Sequence, residues 1–254
     1  MLPDERRRRI VERVTEENGC AVSDLAEALD VSEATIRRDL RELESENEVE
    51  RSHGGALPVT TVGQEREYGR KEVRNLTAKR AIATRAVEEV RDDAVVFLDA
   101  GTTTMQVANR LESDGPTVVA TNSPHIAMSL GDADTEVKVT GGTLRSKTGS
   151  LVGPTGETFL ERTNFDVAFV GTNAVHADQG LLTPNESEAR MKRLICEAAE
   201  RVVLVADASK HGKRSFVQFA ALSDLDLFVT DERPSDPLDD ALDEAGVAVE
   251  VVDA

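Results

Sequence analysis

A polar loop at residues 99–104 has the composition of an anion-binding site. Its sequence is Asp99-Ala100-Gly101-Thr102-Thr103-Thr104, and it lies between an apolar run and a helical pattern. The N–H groups at the start of a helix point toward a bound anion, and a glycine lets the backbone approach that anion closely. The threonines add hydroxyl donors. We interpret the loop as a phosphate cradle, and a plain polar turn is the alternative.

Other loops that follow apolar runs also contain residues suited to binding a ligand. Asn122 can hydrogen-bond a sugar hydroxyl, while Ser123 beside it can cap the next helix. Gly142 and Gly171 indicate either close approach of the backbone to a ligand or simple turns. The candidate residues of these loops, with the segment that follows Gly171, are Asn122, Gly142, Gly171, Asp178 and Gly180.

Charged residues late in the chain complete the candidate site. Glu188 and Lys192 lie four residues apart on one predicted helix face. They either bind the ligand or form an ion pair that contributes about 0.2–0.5 kcal/mol. Lys210 ends the run Asp207-Ala208-Ser209-Lys210 after a later strand. We predict a ligand-binding site made of the loop residues above together with Asp99, Gly101, Thr102, Thr103, Thr104, Glu188, Lys192 and Lys210.

The elements that must position these residues follow from an alternation of apolar runs and helical stretches after residue 77. Short, nearly continuous apolar runs are typical of parallel strands buried on both faces, and the helical stretches provide the crossovers of a doubly wound α/β domain. Ligands of such sheets bind beyond the carboxyl ends of the strands, where the loops above lie. The predicted strands are 94–98, 117–121, 136–140, 167–170, 202–206, 225–230 and 247–252, and the predicted helices are 77–89, 103–111, 123–130, 185–199 and 237–245.

The stretch 23–43 predicts a helix-turn-helix. Apolar residues recur at helical spacing on two short helices, at 25 and 29 and then at 36, 40 and 43. Ser32 is placed to cap the second helix, and Val31 can pack against Ile36 to fix its direction. A helical hairpin with solvated arginines is the alternative. The predicted recognition face consists of Ser32, Thr35, Arg37, Arg38 and Arg41.

The neighbouring residues extend this motif to a winged helix-turn-helix over 1–57. A first helix is expected over 6–17, and its cluster at 6–9 either contacts phosphates or is only solvated. Ser23 is expected to cap the second helix and Asn47 to end the third, and 49–51 is expected to pair with 21–22. Arg51 and His53 would then lie near the DNA backbone. Residues 58–76 lack periodicity and are predicted to be a linker, and 77–254 to form the effector-binding and oligomerisation domain.

Two parts of the chain resemble one family. The run 25–40 and the segment Arg51-Ser52-His53-Gly54-Gly55-Ala56 resemble the amino-terminal domain of DeoR-family transcriptional regulators. The later loops, from residue 99 through Glu188 and Lys192 to Lys210, are similar to the family's effector domain, which is itself similar to ribose-5-phosphate isomerase. The resemblance implies a double-stranded DNA operator as partner and, as inducer, a phosphorylated sugar or polyol such as fructose 1-phosphate, another sugar phosphate or glycerol 3-phosphate. No cofactor or metal is expected.

The isomerase resemblance makes an enzyme the rival interpretation. Aldose–ketose isomerisation needs a carboxylate base and a cation in one pocket, which Glu188 or Asp178 with Lys192 could supply. An amino-terminal winged helix has no role in a small metabolic enzyme, so we expect a regulator, in particular a repressor of sugar or polyol catabolism. One helix-turn-helix reads only a short half-site, so the regulator should be a homo-oligomer, a dimer or a tetramer.

The net charge of −18 is unusual for a DNA-binding protein, which is expected to be basic. Residues 1–57 hold nine arginines and no lysine against fifteen acidic residues. An acidic, lysine-poor chain is expected of a protein that works in concentrated salt, where self-repulsion is screened. A halophilic source is therefore our hypothesis, and an acidic domain that binds a protein is the alternative.

The remaining composition concerns compartment and cysteine chemistry. No apolar stretch reaches the roughly 18 residues of a membrane span, and no signal peptide is evident. The protein is therefore expected to be cytoplasmic, without a membrane partner. Cys20 and Cys196 lack ligand-like spacing and fall in different predicted domains, so neither a disulfide nor a zinc site is expected.

Overall fold

The computed structural model describes residues 3–17, 19–45, 48–52, 54–58, 65, 67–111, 115–131 and 135–254. The chain forms two compact units, Met1–Thr61 and Val62–Ala254. The boundary between them falls within the segment that the sequence predicts as a linker.

The first unit is a winged helix-turn-helix. Its strand order is β1–β3–β2, with both neighbours antiparallel to β3, and β2 and β3 form the wing. Its elements are α1 (Pro3–Glu16), β1 (Cys20–Ala21), α2 (Val22–Leu29), α3 (Glu33–Ser45), β2 (Val49–Ser52) and β3 (Gly55–Pro58).

Two local predictions for this unit are wrong. Strand β2 does not pair with β1, because the chain turns at Gly54 (φ +91°) and β3 runs back between the two. Ser23 does not cap α2, because the helix already begins at Val22, whose N–H donates to the Gly54 carbonyl at 2.8 Å. The predicted helix stop at Asn47 lies outside the described residues.

One apolar core holds the three helices together. The predicted stripe of α3, Ile36, Leu40 and Leu43, is buried and packs against apolar residues of α1 and α2. A buried ion pair lies beside this core. Arg6 Nε of α1 lies 2.6 Å from Asp39 Oδ2 of α3, and the two side chains are 8% and 3% exposed. Because desolvating two charges is repaid only by close pairing, this contact favours one arrangement of α1 against α3.

The second unit is an α/β domain. Its strands are β4 (Val95–Leu98), β5 (Val118–Thr121), β6 (Glu136–Val139), β7 (Thr143–Arg145), β8 (Ser150–Val152), β9 (Val167–Val170), β10 (Ala174–His176), β11 (Gly180–Thr183), β12 (Val202–Val205), β13 (Val217–Ala220), β14 (Leu227–Thr230) and β15 (Ala248–Val251). Its α-helices are α4 (Tyr68–Val73), α5 (Leu76–Ala86), α6 (Thr102–Ala108), α7 (Pro124–Ser129), α8 (Pro154–Leu160), α9 (Glu186–Glu197) and α10 (Leu238–Glu244).

A seven-stranded parallel sheet forms the centre of this unit. Its order is β15–β14–β12–β9–β4–β5–β6, and every neighbouring pair is parallel. The seven strands correspond to the seven predicted apolar runs. Phe97 and Phe228 belong to one buried apolar cluster, and Val96 and Phe169 to a second, so apolar side chains of neighbouring residues enter different cores. The predicted doubly wound α/β architecture is thus confirmed.

The sequence analysis missed the shorter elements. The hairpin β7–β8 and the antiparallel sheet β10–β11–β13 consist of strands of only three or four residues. The segment 58–76 is not a plain linker, because α4 occupies Tyr68–Val73 and Glu65 is buried. A helix of six residues is too short to show a periodic pattern.

No described helix is long and apolar enough to cross a membrane. Cys20 and Cys196 are buried, free thiols. In the described part of the chain, no group of three or more His, Cys, Asp or Glu side chains could hold a metal ion.

Candidate functional site

The predicted recognition residues lie at the start and on the outer face of α3. Ser32 caps the helix, because its hydroxyl accepts a hydrogen bond from the Thr35 N–H at 3.2 Å and lies 2.9 Å from the Thr35 hydroxyl. Arg37, Arg38 and Arg41 are exposed, and Thr35 is half-buried. The structure therefore brings the five predicted residues of this face together.

The three arginines of this face differ in their partners. Arg37 forms an ion pair with Glu33, with 2.5 Å between Nη2 and Oε2. Arg41 donates from Nε to the backbone carbonyl of Arg37 at 3.2 Å. Among the described residues, no carboxylate pairs with Arg38 or Arg41. These two guanidinium groups are therefore the cations of this face that no described carboxylate neutralises.

The other predicted basic residues have more partners. Arg6 belongs to the core, while Arg8 and Arg9 pair at 3.0 and 3.1 Å with carboxylates one turn away on α1. Arg51 on β2 is exposed and pairs with a carboxylate of α3 at 3.3 Å. His53 lies outside the described residues. Of the basic cluster at 6–9, Arg6 thus has a structural role rather than a phosphate contact.

In the second unit, a buried ion pair joins Asp99 to Lys192 at the carboxyl edge of the parallel sheet. Asp99 follows β4 and Lys192 lies on α9, and their side chains are 1% and 7% exposed. Gly171, which follows the adjacent β9, donates its N–H to Asp99 Oδ2 at 3.1 Å, and its carbonyl accepts from Lys192 Nζ at 2.8 Å. The second carboxylate oxygen, Asp99 Oδ1, is buried and has no donor among the described residues.

The loop after Asp99 is shaped by its own hydrogen bonds. The Oδ1 atom of Asn122 accepts the N–H of Ala100 at 2.7 Å. The buried hydroxyl of Thr104 donates to the Asp99 carbonyl at 2.6 Å. Asn122 Oδ1 and the Thr104 hydroxyl therefore hold the loop, and the hydroxyl hydrogen of Thr104 is used within the loop itself. Ser123 caps α7 as predicted.

The first turn of α6 retains the donors of the predicted phosphate cradle. Gly101 precedes it in an extended conformation (φ −170°), which any residue can adopt, and a Cβ there would lie 3.1 Å from the Thr104 hydroxyl. Thr102 and Thr103 begin the helix and are 8% and 9% exposed. Their hydroxyls and the first N–H groups of α6 are the donors that this loop offers to an anion.

The carboxylate of Glu188 is bound by the hairpin β7–β8 and the loop between its strands. Its Oε1 accepts from Thr148 and Ser150 at 2.5 and 2.7 Å and lies 2.5 Å from Arg145 Nη1. Burial by itself raises the pKa of Glu188, but these hydroxyls and the charges of Lys192 and Arg145 lower it to about 2. The ion pair considered for Glu188 and Lys192 is wrong, because each has a different partner.

A second group of charges surrounds Asp207, after β12. Its Oδ1 accepts from Asn75 Nδ2 at 2.8 Å and from the Ser209 N–H at 3.1 Å. Burial raises the pKa of Asp207, but Lys210 and these hydrogen bonds lower it to about 2. Burial lowers the pKa values of Lys79 and Lys210 to about 8, although the charge of Asp207 opposes the shift.

Three predicted residues do not join these groups. Gly142 lies where a Cβ would be 2.5 Å from the Val152 carbonyl, and Gly180 where it would be 2.3 Å from the Ala220 carbonyl. Both glycines are therefore explained by close approach of a neighbouring strand. Asp178 lies between β10 and β11 with its side chain 83% exposed.

Several residues near the site were missed in the sequence. Most lie in the predicted linker or in the hairpin β7–β8, neither of which has a periodic pattern. One signal was available: four of the chain's seven lysines are at 71, 79, 192 and 210, and its single tyrosine is at 68. The missed residues are Glu65, Tyr68, Lys71, Asn75, Lys79, Arg145, Thr148 and Ser150.

Comparisons with known proteins cover both units. A DeoR-like helix-turn-helix domain matches residues 6–62, and a DeoR C terminal sensor domain matches residues 74–232. The HTH-type transcriptional regulator GlpR of Haloferax volcanii is 59% identical over 249 residues, which cover 98% of each chain. A putative aga operon transcriptional repressor of Escherichia coli O157:H7 is 36% identical, over 98% of this chain and 93% of that one.

Two further similarities extend the comparison. The glycerol-3-phosphate regulon repressor of Escherichia coli K12 is 32% identical, over 92% of this chain and 93% of that one. Among solved structures, ribose 5-phosphate isomerase A of Methanocaldococcus jannaschii aligns with a TM-score of 0.39 at 20% identity, over 54% of each chain. The full-length relatives are thus named as regulators and repressors.

Proposed function

The chain belongs to the DeoR family of transcriptional regulators, and from this premise we propose that it is a repressor of sugar or polyol catabolism genes. A phosphorylated sugar or polyol would release it from its operator in the cytoplasm. The relatives are named as regulators, so the chain is a regulator rather than an isomerase. One relative's name refers to glycerol 3-phosphate, which makes that compound the first candidate, ahead of fructose 1-phosphate and other sugar phosphates.

The observation that carries this proposal is the chemistry at the carboxyl edge of the sheet. Asp99 Oδ1 and Glu65 Oε1 are buried acceptors without a donor among the described residues. A buried acceptor without a donor is costly, and ligand hydroxyls would satisfy it. The same edge holds the ammonium groups of Lys192 and Lys210 and the first turn of α6. A phosphorylated sugar or polyol matches this site, because its hydroxyls can donate to the buried acceptors and its phosphate can accept from the ammonium and N–H groups.

The DNA-reading part of the proposal rests on α3. Its exposed face carries Arg38 and Arg41, to which no described carboxylate is paired. Guanidinium groups on the exposed face of a recognition helix hydrogen-bond guanine edges and phosphates. Because a single helix-turn-helix reads a short half-site, we propose that a homo-oligomer binds a repeated or palindromic operator.

A thermal-shift screen tests the effector. Glycerol 3-phosphate, fructose 1-phosphate, glycerol and fructose would each be added to the full-length protein. A compound at 100 times its Kd stabilises the fold by about 2.7 kcal/mol, which shifts the unfolding midpoint measurably. We expect a phosphorylated compound to stabilise the protein and its unphosphorylated counterpart not to. Equal, small shifts for all four compounds would contradict a phosphate sensor.

An operator assay completes the test. DNA that the protein selects from a random pool would be labelled and titrated by fluorescence anisotropy, with and without the stabilising compound. We expect the compound to weaken DNA binding. A compound that binds but leaves operator affinity unchanged would argue against release as its role.

A further inference from the structure

The segment Glu65–Asn75, here called the arm, is bonded to the sensor site at several points. Glu65 lies 2.7 Å from Arg145, which also binds Glu188. The N–H of Tyr68 donates to the Lys147 carbonyl at 2.8 Å. At the far end of the arm, Asn75 donates to Asp207. The arm therefore contacts both charged groups of the site.

The middle of the arm contributes Lys71, whose backbone carbonyl accepts a hydrogen bond from Lys79 Nζ beside Asp207. The pKa of Lys71 is lowered by burial, while the carboxylates of Glu65 and Glu188 raise it and the cations Lys192 and Arg145 lower it further. The same lysine lowers the pKa values of Lys79 and Lys210 beside Asp207. Among the described residues, no side chain accepts a hydrogen bond from its ammonium group.

The charged groups around Lys71 have a positive excess that favours binding of an anion. Arg145 and Lys71 together balance Glu65 and Glu188, and Asp99 balances Lys192. Around Asp207, however, the cations Lys79, Lys210 and Arg74 outnumber the carboxylates of Asp207 and Glu72. The cluster therefore carries excess positive charge, although the chain as a whole carries −18. A phosphate placed here would gain charge-assisted hydrogen bonds and relieve repulsion among the lysines.

Two other buried atoms of the arm are suited to a ligand. The hydroxyl of Tyr68 and the Oε1 of Glu65 are buried without a hydrogen-bond partner among the described residues. The ring of Tyr68 stacks on His125, with 4.6 Å between centroids, which fixes its position. The arm thus offers a donor and an acceptor besides the ammonium group.

We propose that the arm is part of the effector site, with the Lys71 ammonium group binding the effector's phosphate. The inference rests on the proposed function, and it adds a route by which effector binding could change the DNA affinity. The arm follows the DNA-binding unit in the sequence with only residues 62–64 between that unit and Glu65. A ligand held by Lys71 would tighten the arm on the site, and the tightened arm would change the DNA affinity of the preceding unit.

Full-length variants test the role of the ammonium group. Lys71→Met removes the charge, Lys71→Arg keeps it, and Lys138→Met removes an exposed lysine of β6 as a matched control. The probes are inorganic phosphate and the phosphorylated compound that most stabilises the wild type. We expect Lys71→Met to bind both at least tenfold more weakly, Lys71→Arg to retain most of the affinity, and Lys138→Met to equal the wild type. Lys71→Met should no longer be released from the operator by the effector, whereas Lys138→Met should be released like the wild type.

Hydrogen exchange of the wild type gives a second readout that does not depend on a variant folding. Effector binding should slow exchange in peptides covering 67–75, where the amides of Tyr68 and Lys71 are hydrogen-bonded. Wild-type affinity and release in Lys71→Met, or unchanged exchange in the liganded arm, would overturn the role of the arm while leaving a sensor elsewhere in the loops intact. A wild-type protein that responds to no phosphorylated compound would overturn the proposed function and this inference together.

Discussion

At the scale of single residues, the Asp99–Lys192 pair combines a structural role with a place in the site. Both side chains are nearly inaccessible, and Gly171 bonds to each of them. Removing one member of such a buried pair destabilises the fold more than replacing both members, because the remaining buried charge has no partner.

Lys192→Met should therefore destabilise the second unit by about 3–5 kcal/mol, because the Asp99 carboxylate stays buried without its counter-charge. Urea unfolding in molar KCl measures the effect. The double variant Asp99→Asn, Lys192→Met should recover part of the loss. The single variant Asp99→Asn is measured as well. If the stability loss of the double variant equals the sum of the two single losses, the two side chains are not coupled.

Acid should weaken the fold through two carboxylates. The pKa values of Glu188 and Asp207 are about 2 in the folded protein, below their ordinary values of 4.5 and 3.8. Their stabilising contribution is thus present above roughly pH 5 and is lost as the pH falls toward roughly 2. The free energy of unfolding, measured by urea titration from neutral to acid pH, should decrease over this range. Glu188→Gln should flatten that decrease, and an unchanged slope would show that Glu188 titrates normally.

At the scale of elements, α3 has one buried face and one exposed face, and the exposed face is the predicted recognition face. Arg38→Ala and Arg41→Ala should each weaken operator binding by about 1–3 kcal/mol without changing the unfolding midpoint. Arg8→Ala on α1 is the matched control, because that arginine is exposed but paired with Glu12. Fluorescence anisotropy with the selected operator measures the affinities. Equal losses in all three variants would indicate a general charge effect instead of reading by α3.

The start of α6 gives a second prediction at this scale. Gly101→Val is compatible with the extended backbone there, but its Cβ approaches the Thr104 hydroxyl and its methyl groups crowd the donors of the first turn. We expect this variant to fold and bind operator but to respond weakly to the effector in the anisotropy assay. Gly131→Val, at an exposed glycine after α7 where an added Cβ makes only ordinary contacts, is the control for the same change. Normal release by the effector would show that the loop is only a turn.

The elements also show what the sequence could predict and what it could not. All seven strands of the parallel sheet were predictable, because each is a short run rich in apolar residues. The five inner strands are buried, and the edge strands β6 and β15 are largely exposed. The arm was not predictable, because six helical residues carry no period and its side chains make their contacts far along the chain. Glu65 meets Arg145 across 80 residues, and Arg6 meets Asp39 across 33. Such pairs depend on the completed fold.

The same limit applies within the site. Asp99, Gly171 and Lys192 were identified from strand ends and helix position, and the structure brings them together. Gly142 and Gly180 look the same in the sequence, yet they serve close approach of strands. A glycine after a strand indicates that another group approaches the backbone closely, but the sequence does not tell whether that group is a ligand or a neighbouring strand.

At the scale of the whole molecule, the charge of −18 predicts an unusual response to salt. At low ionic strength the carboxylates repel one another and DNA, and screening relieves both effects as the Debye length falls from about 10 Å at 0.1 M to about 3 Å at 1 M. We expect the unfolding midpoint to rise with KCl and operator binding to persist at molar salt. A protein that is most stable at 0.1 M and loses its operator before 0.5 M would contradict the halophilic hypothesis.

The buried Arg6–Asp39 pair has a consequence for how operator preference can evolve. This pair and the apolar stripe set the position of α3. The exposed side chains of α3, such as Arg38 and Arg41, are therefore not needed for its packing in the domain. A duplicated gene can therefore drift toward a new target by exchanging those few side chains while its inducer response is inherited unchanged. The same independence suits the construction of orthogonal regulators, in which one sensor domain is directed to many promoters.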